Sequence, residues 1–525
     1  MKNLLKIFNN FKKPERLIFW GMLIIFLTSS ATSLLLFWER NTKPIAKEGG
    51  EFREGIIGQP KIINPIISLD SPDKDISSLI YLNLLDLAEN YQVKQDKQYT
   101  IQLQQNLKWS DSMPLTADDV IFTVNLIQNP KTNSPLFSSW QYVKVKRISQ
   151  LKVEFTLPEP YSFFLDNLSR LYILPKHIFG KIPPQNISLS EYNLAPIGNG
   201  PFKFDHLKKN KFGFIEEYHL IRNPFYNQRQ PYLNKLIFKF YQAKSELIQA
   251  FNQREIDGFG TIAPINLTEL KTKKSVHSII LPDYYAVFFN FHTQPSLNQK
   301  KLRKYLANNL NKKVIIDKVL FNQALEINNP TVPGFSNYVS IQNEDKKESF
   351  DNLDQSLEFS LLVPEIDFLL ETAKQIKSQW EKIGIKLNLN VVNLQQIKLA
   401  IETRDYQMLL FGIRPVPNMD LFPFWHSSEK FSPGLNLSLY SNPEVDELIE
   451  EIRKDLQSQE RKEKFKSLIS IISEDKPAIF LFSPKYIYVT TQKLKGFNQT
   501  KLVEPSNRFK KIQNWYINTT RVFLS

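Results

Sequence analysis

The pattern of apolar and polar positions predicts one long apolar helix near the start of the chain. Residues 17–38 (LIFWGMLIIFLTSSATSLLLFW) run for 22 residues without a charge. At about 1.5 Å per residue, such a helix spans roughly the 30 Å hydrocarbon core of a bilayer. Residues 1–16 carry five basic side chains against a lone Glu15. We therefore expect residues 1–16 to stay in the cytoplasm and the rest of the chain to lie outside, behind a single-pass anchor in the cytoplasmic membrane.

A cleaved signal peptide is the alternative interpretation of the same segment. Ser29-Ser30-Ala31 has the small residues of a cleavage site. The apolar run continues to Trp38, however, and is longer than a usual signal core. The pattern therefore favours an uncleaved anchor followed by a polar linker at 39–48, and both interpretations place the globular part outside.

Alternating and helical spacings beyond residue 100 predict mixed α/β structure. Thr116 is well placed to cap a helix that ends at Asn129-Pro130. Ser245 is expected to cap another helix that continues through Phe251. Further strands are predicted at 143–145, 152–155 and 236–241.

The clearest pattern comes later in the chain. An apolar strand at 357–363 precedes a helix with apolar positions between 366 and 383, which Gly384 ends before a strand at 385–391. This βαβ order is typical of a mostly parallel α/β sheet. Additional elements are predicted as a helix at 394–403, a strand at 408–412 and a loose polar loop at 336–356. Residues 444–474 are expected to contain further amphipathic helix that starts near Asn442-Pro443.

Composition narrows the function classes. With 42% hydrophobic and 23% charged residues, the chain is typical of a globular protein large enough for two or three domains. It contains no cysteine, which excludes disulfides, thiol catalysis, cysteine-ligated metals and a lipid-modified cysteine as the anchor. The net charge is +14, but no concentrated stripe of Lys and Arg with interleaved aromatic residues is present, so we expect no nucleic-acid partner.

Catalytic and metal motifs are not evident in the sequence. The six histidines form no close pair with metal-ligand spacing and no HExxH motif, so we expect no metal and no cofactor. No Ser-His-Asp order, P-loop, GxGxxG or GxSxG is evident either. Asp118-Asp119 begins a helix, where capping explains the two carboxylates better than acid–base chemistry. We therefore expect that the protein is not an enzyme.

Seven stretches, in this order, resemble the substrate-binding proteins of peptide-type and nickel-type ABC importers, known as solute-binding protein family 5. They are LKWSDSMPLTADDVIFTVNLI (107–127), ILPKHIF (173–179), PIGNGPFKF (196–204), LIRNPFYNQRQPYLNKLIFKF (220–240), EIDG (255–258), AVFFNFHTQPSLNQKKLRKYLANNLNKKVII (286–316) and FWHSSEKFSPGLNLSLYSNPEVDELI (424–449). Together the resemblance covers about residues 50–520, nearly the whole part of the chain beyond the apolar segment.

The resemblance implies an α/β fold of the two-lobed, type II periplasmic-binding-protein class with a ligand enclosed between the lobes. Lobe I would comprise 49–284 and 486–525, and lobe II 285–485. It further implies a monomeric receptor for a peptide or similar small solute, with ABC permease and ATPase subunits as its partners. A nickel-chelate or oligosaccharide receptor is the alternative within the same class. An anchored cell-wall enzyme, or a signalling or chaperone-like protein without a transporter, is the alternative of another class.

Two departures from the family pattern concern turns. The family usually has Asp-Gly where this chain has Asp111-Ser112, so this turn lacks the freedom of glycine at positive φ. Well-known peptide binders also place an aspartate, which pairs with the α-ammonium of the peptide, in the loop after the strand equivalent to 408–412. Here Pro415 stands at that place, Arg414 introduces the opposite charge, and Asp420 follows five residues later.

The candidate ligand-binding residues follow from this loop and from the expected cleft. Arg414 can hold a carboxylate through two hydrogen bonds, and Asp420 can accept hydrogen bonds from an ammonium or amide, unless both are solvated loop charges. The two tryptophans are expected either to stack on the ligand or to pack in the core. The three asparagines are expected to form hydrogen bonds at the cleft. These remaining candidates are Trp140, Trp425, Asn418 in the same loop, Asn290 near the expected crossing between lobes, and Asn64 on the opposite side.

Overall fold

The computed structural model describes residues 12–335, 339–340, 357–415, 420–454 and 459–523. Its strands are β1 (Thr42–Ala46), β2 (Glu51–Ile57), β3 (Ala88–Lys94), β4 (Gln98–Leu103), β5 (Lys144–Ser149), β6 (Lys152–Thr156), β7 (Phe202–Lys209), β8 (Ile215–Arg222), β9 (Lys235–Tyr241), β10 (Gly258–Thr261), β11 (Lys274–Ile280), β12 (Tyr284–Phe289), β13 (Ala324–Glu326), β14 (Glu358–Pro364), β15 (Lys386–Val392), β16 (Met408–Ile413), β17 (Ala478–Thr491) and β18 (Thr519–Phe523).

The α-helices alternate with these strands along most of the chain. They are α1 (Lys13–Asn41), α2 (Ser71–Ile80), α3 (Leu84–Leu87), α4 (Ala117–Ile127), α5 (Phe137–Trp140), α6 (Phe164–Leu168), α7 (Lys176–Phe179), α8 (Lys244–Asn252), α9 (Lys300–Asn308), α10 (Lys312–Val319), α11 (Asp367–Glu381), α12 (Leu394–Thr403), α13 (Phe422–Trp425), α14 (Pro443–Lys454) and α15 (Gln459–Asp475).

Capping side chains explain where two of these helices begin. Thr116 caps α4, because its hydroxyl accepts from the Asp118 amide and the Asp119 carboxylate accepts from the Thr116 amide at 2.8 Å. This confirms the predicted N-cap. The expectation for Ser245 was wrong, since Ser245 lies inside the first turn of α8 after Ala243. Glu246 instead accepts from the backbone N–H of Gln242 at 2.9 Å and holds that end of the helix.

The predicted βαβ unit is present, but the sheet is mixed. Strands β14 and β15 pair in parallel around α11, Gly384 adopts φ +81° after it, and β16 joins β14 in parallel. Strand β12, however, runs antiparallel to both β16 and β17. The expectation of a mostly parallel sheet was therefore wrong, because alternation along one strand does not reveal the direction of a partner far away in sequence.

Strand β17 carries the chain from one lobe to the other. Its first half pairs with β12 and β13, and its second half pairs with β10 and β11, all antiparallel. Residues 281–283 between β11 and β12 form the neighbouring crossing segment. The described strands thereby join into one twelve-stranded sheet that extends through both lobes, while β3–β6 form a separate four-stranded sheet in lobe I.

The hydrophobic core is divided in the same way. One buried cluster uses residues between 52 and 281 together with residues between 486 and 515, and a smaller cluster uses residues between 247 and 270 with Ile487 and Val489. Two further clusters draw on residues between 284 and 482, with Phe163 as an added member. This division supports the lobe boundaries that we propose, at 284/285 and 485/486, and it makes the α/β two-lobed architecture a direct consequence of burial.

Several local features differ from the sequence-based expectations or refine them. Ser112 adopts φ +75°, so the Asp111-Ser112 turn takes the positive-φ conformation without glycine. The amphipathic helical structure expected within 444–474 is confirmed, and it forms two helices, α14 and α15, that pack against each other. Most of the predicted loop at 336–356 lies outside the described residues.

The apolar segment forms the long helix α1, which buries none of its residues against the rest of the protein. Its length and hydropathy are sufficient to cross a membrane. Regular secondary structure occupies much of the linker that we expected at 39–48. Helix α1 continues to Asn41, and β1 then pairs with the C-terminal strand β18.

Candidate functional site

A large cavity lies between the two lobes, and we call it the interlobe cavity. Its volume is about 860 Å³, within the range of roughly 300–1,000 Å³ that is usual for small-molecule sites. Residues between 138 and 167 line it from lobe I, and residues between 420 and 454 line it from lobe II. A molecule bound here would contact both lobes at once.

Asp420 lies at the border of this cavity and joins the lobes. Its side chain is 5% exposed, and its Oδ2 accepts a hydrogen bond from the Tyr161 hydroxyl of lobe I at 2.9 Å. Arg453 Nε lies 3.3 Å from the same oxygen, and the Phe422 amide donates to Oδ1 at 3.1 Å. Burial and the Asp420 carboxylate raise the pKa of Tyr161, which therefore remains a neutral hydrogen-bond donor.

Residues 161–163 of lobe I, the docking segment, continue this contact onto lobe II. The Ser162 amide donates to the Arg453 carbonyl at 2.9 Å, and the Ser162 hydroxyl donates to the Ile452 carbonyl at 3.2 Å. These carbonyls belong to the last turn of α14, where a helix leaves its C=O groups without internal partners. Phe163 is 3% exposed within the lobe II cluster, beneath the guanidinium of Arg461 at 4.5 Å. The docking segment therefore holds the lobes together in this structure.

A second cavity of about 540 Å³, the Arg170 cavity, lies on the lobe I side of the same wall. Arg170 lines it, and the buried Nε and Nη2 atoms of Arg170 have no hydrogen-bond partner among the described residues. Burial lowers the pKa of Arg170, although Glu504 and Asp166 act in the opposite direction. A buried guanidinium with free donors is costly unless an anion completes its hydrogen bonding.

Arg414 is already paired with a carboxylate of the protein itself. Its Nε and Nη2 each donate to Asp283 at 2.6 Å, in the two-bond geometry that the sequence analysis expected for a ligand. Burial alone would lower the pKa of Arg414, but Asp283 and the nearby charge of Glu504 raise it. Asp283 belongs to the crossing segment, so the pair fixes the end of β16 beside that segment.

Of the three predicted asparagines, the two that the structure describes do not line the interlobe cavity. Asn290 is fully buried, and its side chain donates to the Arg404 carbonyl and accepts from the amides of His292 and Thr293. Asn64 is also fully buried and donates to the Asn193 side chain at 3.2 Å. Asn418 lies outside the described residues. The side chains of the two described asparagines therefore form their hydrogen bonds with loop backbone and with the core of the protein.

The two predicted tryptophans lie in the hydrophobic cores. Trp140 is 2% exposed and packs against Phe155 and Phe164 in lobe I. Trp425 is 1% exposed and packs against Phe480 in lobe II. Both come from short helices whose neighbouring residues line the interlobe cavity, so each supports a wall without presenting its ring to the space inside.

Sequence reasoning did not find Tyr161 or Arg170, which the structure places at the two cavities. A signal for Arg170 was available, since it is a charged residue within the apolar stretch 163–174 and next to one of the family strings. Charged side chains are seldom buried unless they are paired, so a charge at this position indicates a candidate functional residue. Tyr161 had no such signal, because its importance depends on a lobe II residue 259 positions away.

The arrangement is suited to binding. Among the residues that the structure describes, no cluster of three His, Asp or Glu side chains could hold a metal ion. The polar side chains at the two cavities act instead as separate hydrogen-bond donors and acceptors. They belong to two lobes that are joined by two crossing segments. Such a pair of α/β lobes with a cavity between them defines the periplasmic-binding class of solute-binding proteins.

Comparison with known proteins identifies the family. Residues 85–432 match the family model described as "Bacterial extracellular solute-binding proteins, family 5 Middle", and the chain belongs to this family. The oligopeptide-binding protein AppA of Bacillus subtilis is 24% identical over 514 residues, which cover 90% of this chain and 92% of AppA.

Solved structures confirm the two-lobed fold. The structure of AppA in complex with a nonapeptide has a TM-score of 0.73 at 23% identity, covering 90% of this chain and 100% of that chain. The substrate-binding protein CtaP of Listeria monocytogenes has a TM-score of 0.78 at 24% identity with the same coverage. NikZ of Campylobacter jejuni, in complex with Ni(L-His), has a TM-score of 0.70 at 23% identity, covering 89% of this chain and 99% of that chain.

Proposed function

We propose that this protein is a membrane-anchored receptor that binds a peptide or similar small solute between its lobes and delivers it to an ABC importer. The observation that carries the proposal is the interlobe cavity, because its walls come from both lobes and its volume suits a short peptide. Membership of a solute-binding family supports binding in general. The oligopeptide-binding name and nonapeptide complex of AppA support the peptide class.

The proposed mechanism is closure of the lobes around the solute. Open and closed forms interconvert by bending at 281–283 and at the middle of β17, and the Tyr161–Asp420 contact belongs to the closed form. A ligand favours the closed form only by the contacts that it makes there and not in the open form. No covalent step is required, and the ATPase subunit of the importer would supply the energy for transport.

Arg170 is the side chain that we propose for the anionic end of the solute. A carboxylate in the Arg170 cavity would complete the hydrogen bonding of the free Nε and Nη2 atoms. We keep Asp420 and Arg414 in the proposed site as residues of its border. Asp420 holds the docking segment, and Arg414 holds the crossing segment. The two tryptophans, Asn64 and Asn290 act as scaffold for the walls.

The proposed location is the outer face of the cytoplasmic membrane, with α1 as an uncleaved single-pass anchor and residues 1–16 inside. The exposed apolar surface of α1 supports this proposal, since a long apolar helix with no buried residue needs another apolar environment. We propose a monomer with permease and ATPase subunits as its partners and no nucleic-acid partner.

Native mass spectrometry of the full chain in nanodiscs tests the function. The protein is mixed separately with a pool of short synthetic peptides, a nickel–histidine complex and a pool of oligosaccharides. We expect retention of unaltered peptides at one per protein. Retention of only the nickel complex or only a sugar would replace the peptide class with that ligand. Conversion of any pool into products would overturn the assignment as a receptor.

A further inference from the structure

The end of α1 is held by the C-terminal strand. Strands β1 and β18 pair antiparallel from Thr42 opposite Phe523 to Ala46 opposite Thr519. We call this two-stranded ribbon the mount. The last described residues of the chain therefore lie directly beside the point where the apolar helix ends.

Side chains of the mount fasten the last turn of α1. Arg521 donates through Nε to the Thr42 hydroxyl at 2.8 Å and through Nη2 to the Glu39 carbonyl at 3.1 Å. A cation at this end satisfies carbonyls that the helix leaves free and complements its dipole. The rings of Trp38 and Phe523 meet edge to face with centroids 5.2 Å apart. The connection thus uses hydrogen bonds, charge and apolar contact.

The contacts continue from the mount into lobe I without a gap. The Lys47 amide donates to the Asn518 carbonyl at 3.0 Å, and the Gly49 amide donates to the Tyr232 carbonyl at 2.8 Å. Glu48 pairs with Arg222 at 2.9 Å. A flexible linker of the length expected at 39–48 would have a root-mean-square end-to-end distance of about 17 Å and no fixed direction. Here the backbone is instead hydrogen-bonded to the protein through β1 and at Lys47 and Gly49.

The aromatic residues of α1 place the mount at a membrane surface. Trp20 and Trp38 are 52% and 44% exposed, and the 18 positions between them correspond to about 27 Å of helix, close to the thickness of a bilayer core. Tryptophans are enriched at both membrane interfaces, with cations just beyond them. Phe523, which is 59% exposed, lies at the Trp38 level, and Arg40 and Lys43 follow.

We propose that the mount is a second membrane contact, in which Phe523 and the end of β18 enter the lipid headgroup layer beside Trp38. The partner is the outer surface of the bilayer. Lobe I is thereby held in a fixed orientation to the membrane, while lobe II remains free to open and close. This inference rests on the proposed anchoring of α1.

Cysteine cross-linking tests whether the mount exists in the membrane. The chain has no cysteine, so every introduced pair is unambiguous. Lys43→Cys and Val522→Cys stand opposite each other, at a separation that antiparallel pairs and disulfides share. In vesicles of phosphatidylglycerol and phosphatidylethanolamine, we expect a disulfide-linked fraction at least about tenfold above that of Lys43→Cys with Lys511→Cys. Equal fractions in an anchored protein would overturn the mount.

Spin labels measure the depth of the C-terminal strand in the same vesicles. A label at Phe523→Cys should be more accessible to oxygen than to a water-soluble nickel chelate, as a label at Phe37→Cys should be. Leu189→Cys, at a position that is 80% exposed in lobe I, should give the opposite ratio. A water-like ratio at 523 together with efficient cross-linking would overturn the lipid contact. Release of a shortened chain, detected by its mass, would instead overturn the anchor itself.

Discussion

Arg508 and Arg170 are two arginines of lobe I with buried donor atoms, and they differ in how the protein satisfies those atoms. Arg508 is 1% exposed and donates to Glu54 at 3.0 Å and to Asp75 at 2.9 and 2.6 Å. Tyr488 completes the cluster by donating to Glu54 at 2.9 Å. Arg170, in contrast, keeps two buried donors without a partner among the described residues and faces a cavity.

The difference separates a structural ion cluster from a binding group. Arg508 joins the C-terminal segment to β2 and α2, so its hydrogen bonds hold together parts of lobe I that are far apart in sequence. Because the protein already engages the guanidinium donors of Arg508, these donors are not available to bind a solute. Arg170 has two buried donor atoms without a partner among the described residues, which is a property expected of a ligand-binding arginine.

The largest expected effect is that of removing Arg508. The change Arg508→Met leaves two buried carboxylates without their cation, and we expect the free energy of unfolding to fall by about 3–5 kcal/mol. Urea denaturation of the full chain in nanodiscs measures this. Arg147→Met is the matched control, since Arg147 is a surface residue and should change stability by less than about 0.5 kcal/mol. Similar losses in both variants would contradict the structural role.

The next effect is a pH dependence at Glu54. Burial raises the pKa of Glu54 to about 7, although Arg508 lowers it. A carboxyl group with a raised pKa stabilises the fold fully below its unfolded pKa and loses that contribution as the pH rises towards 7. Glu54→Gln should therefore gain stability relative to the natural protein between pH 5 and pH 8, by up to about 3 kcal/mol. A difference that stays constant over this range would show that Glu54 does not titrate there.

Removing Arg170 should affect binding and leave the fold intact. For Arg170→Met we expect at least a tenfold weaker affinity for the retained peptide, equivalent to about 1.4 kcal/mol, because the solute carboxylate loses its partner. Stability should be unchanged or higher, since an unsatisfied buried charge is removed. Isothermal titration calorimetry and urea denaturation report the two quantities separately. If Arg170→Met and the control Arg147→Met bound the peptide with equal affinity, Arg170 would be excluded from the binding site.

The smallest effect is expected at the docking segment. Tyr161→Phe deletes the hydrogen bond to Asp420 but keeps the ring, which should weaken closure by about 1 kcal/mol and affinity by about fivefold. Tyr142→Phe offers a matched control on the same cavity wall, where the side chain is 70% exposed. Equal affinities of the two variants would exclude a role for Tyr161 in closure.

The sequence predicted the fold better than the site. Periodicity located α4, α11 and α12 to within a few residues, because helix formation there follows local spacing and capping at Thr116 and Asn393. The resemblance to the family added the two lobes. The direction of β12 and the ribbon of β1 with β18 could not be read from the sequence, since both depend on partners far along the chain.

The ligand-binding site was harder to predict than the fold, because the sequence does not show which group neutralises a charged side chain. Arg414 has the residue type that binds carboxylates, and its carboxylate is Asp283, 131 positions earlier. Trp425 has the residue type that stacks on ligands, and its ring packs at a tilt against Phe480 in the core of lobe II. Arg170 differs because its Nε and Nη2 atoms find no hydrogen-bond partner in the part of the chain that the structure describes, a property that only the structure reveals.

Closure of the lobes on a solute is the central claim, and a distance measurement between the lobes tests it most directly. Tyr142→Cys and Lys454→Cys place spin labels on opposite walls of the interlobe cavity, in a chain with no other cysteine. Double electron–electron resonance on the full chain in nanodiscs should show a shorter and narrower distance distribution when the retained peptide is added. An unchanged distribution at saturating peptide would contradict the account.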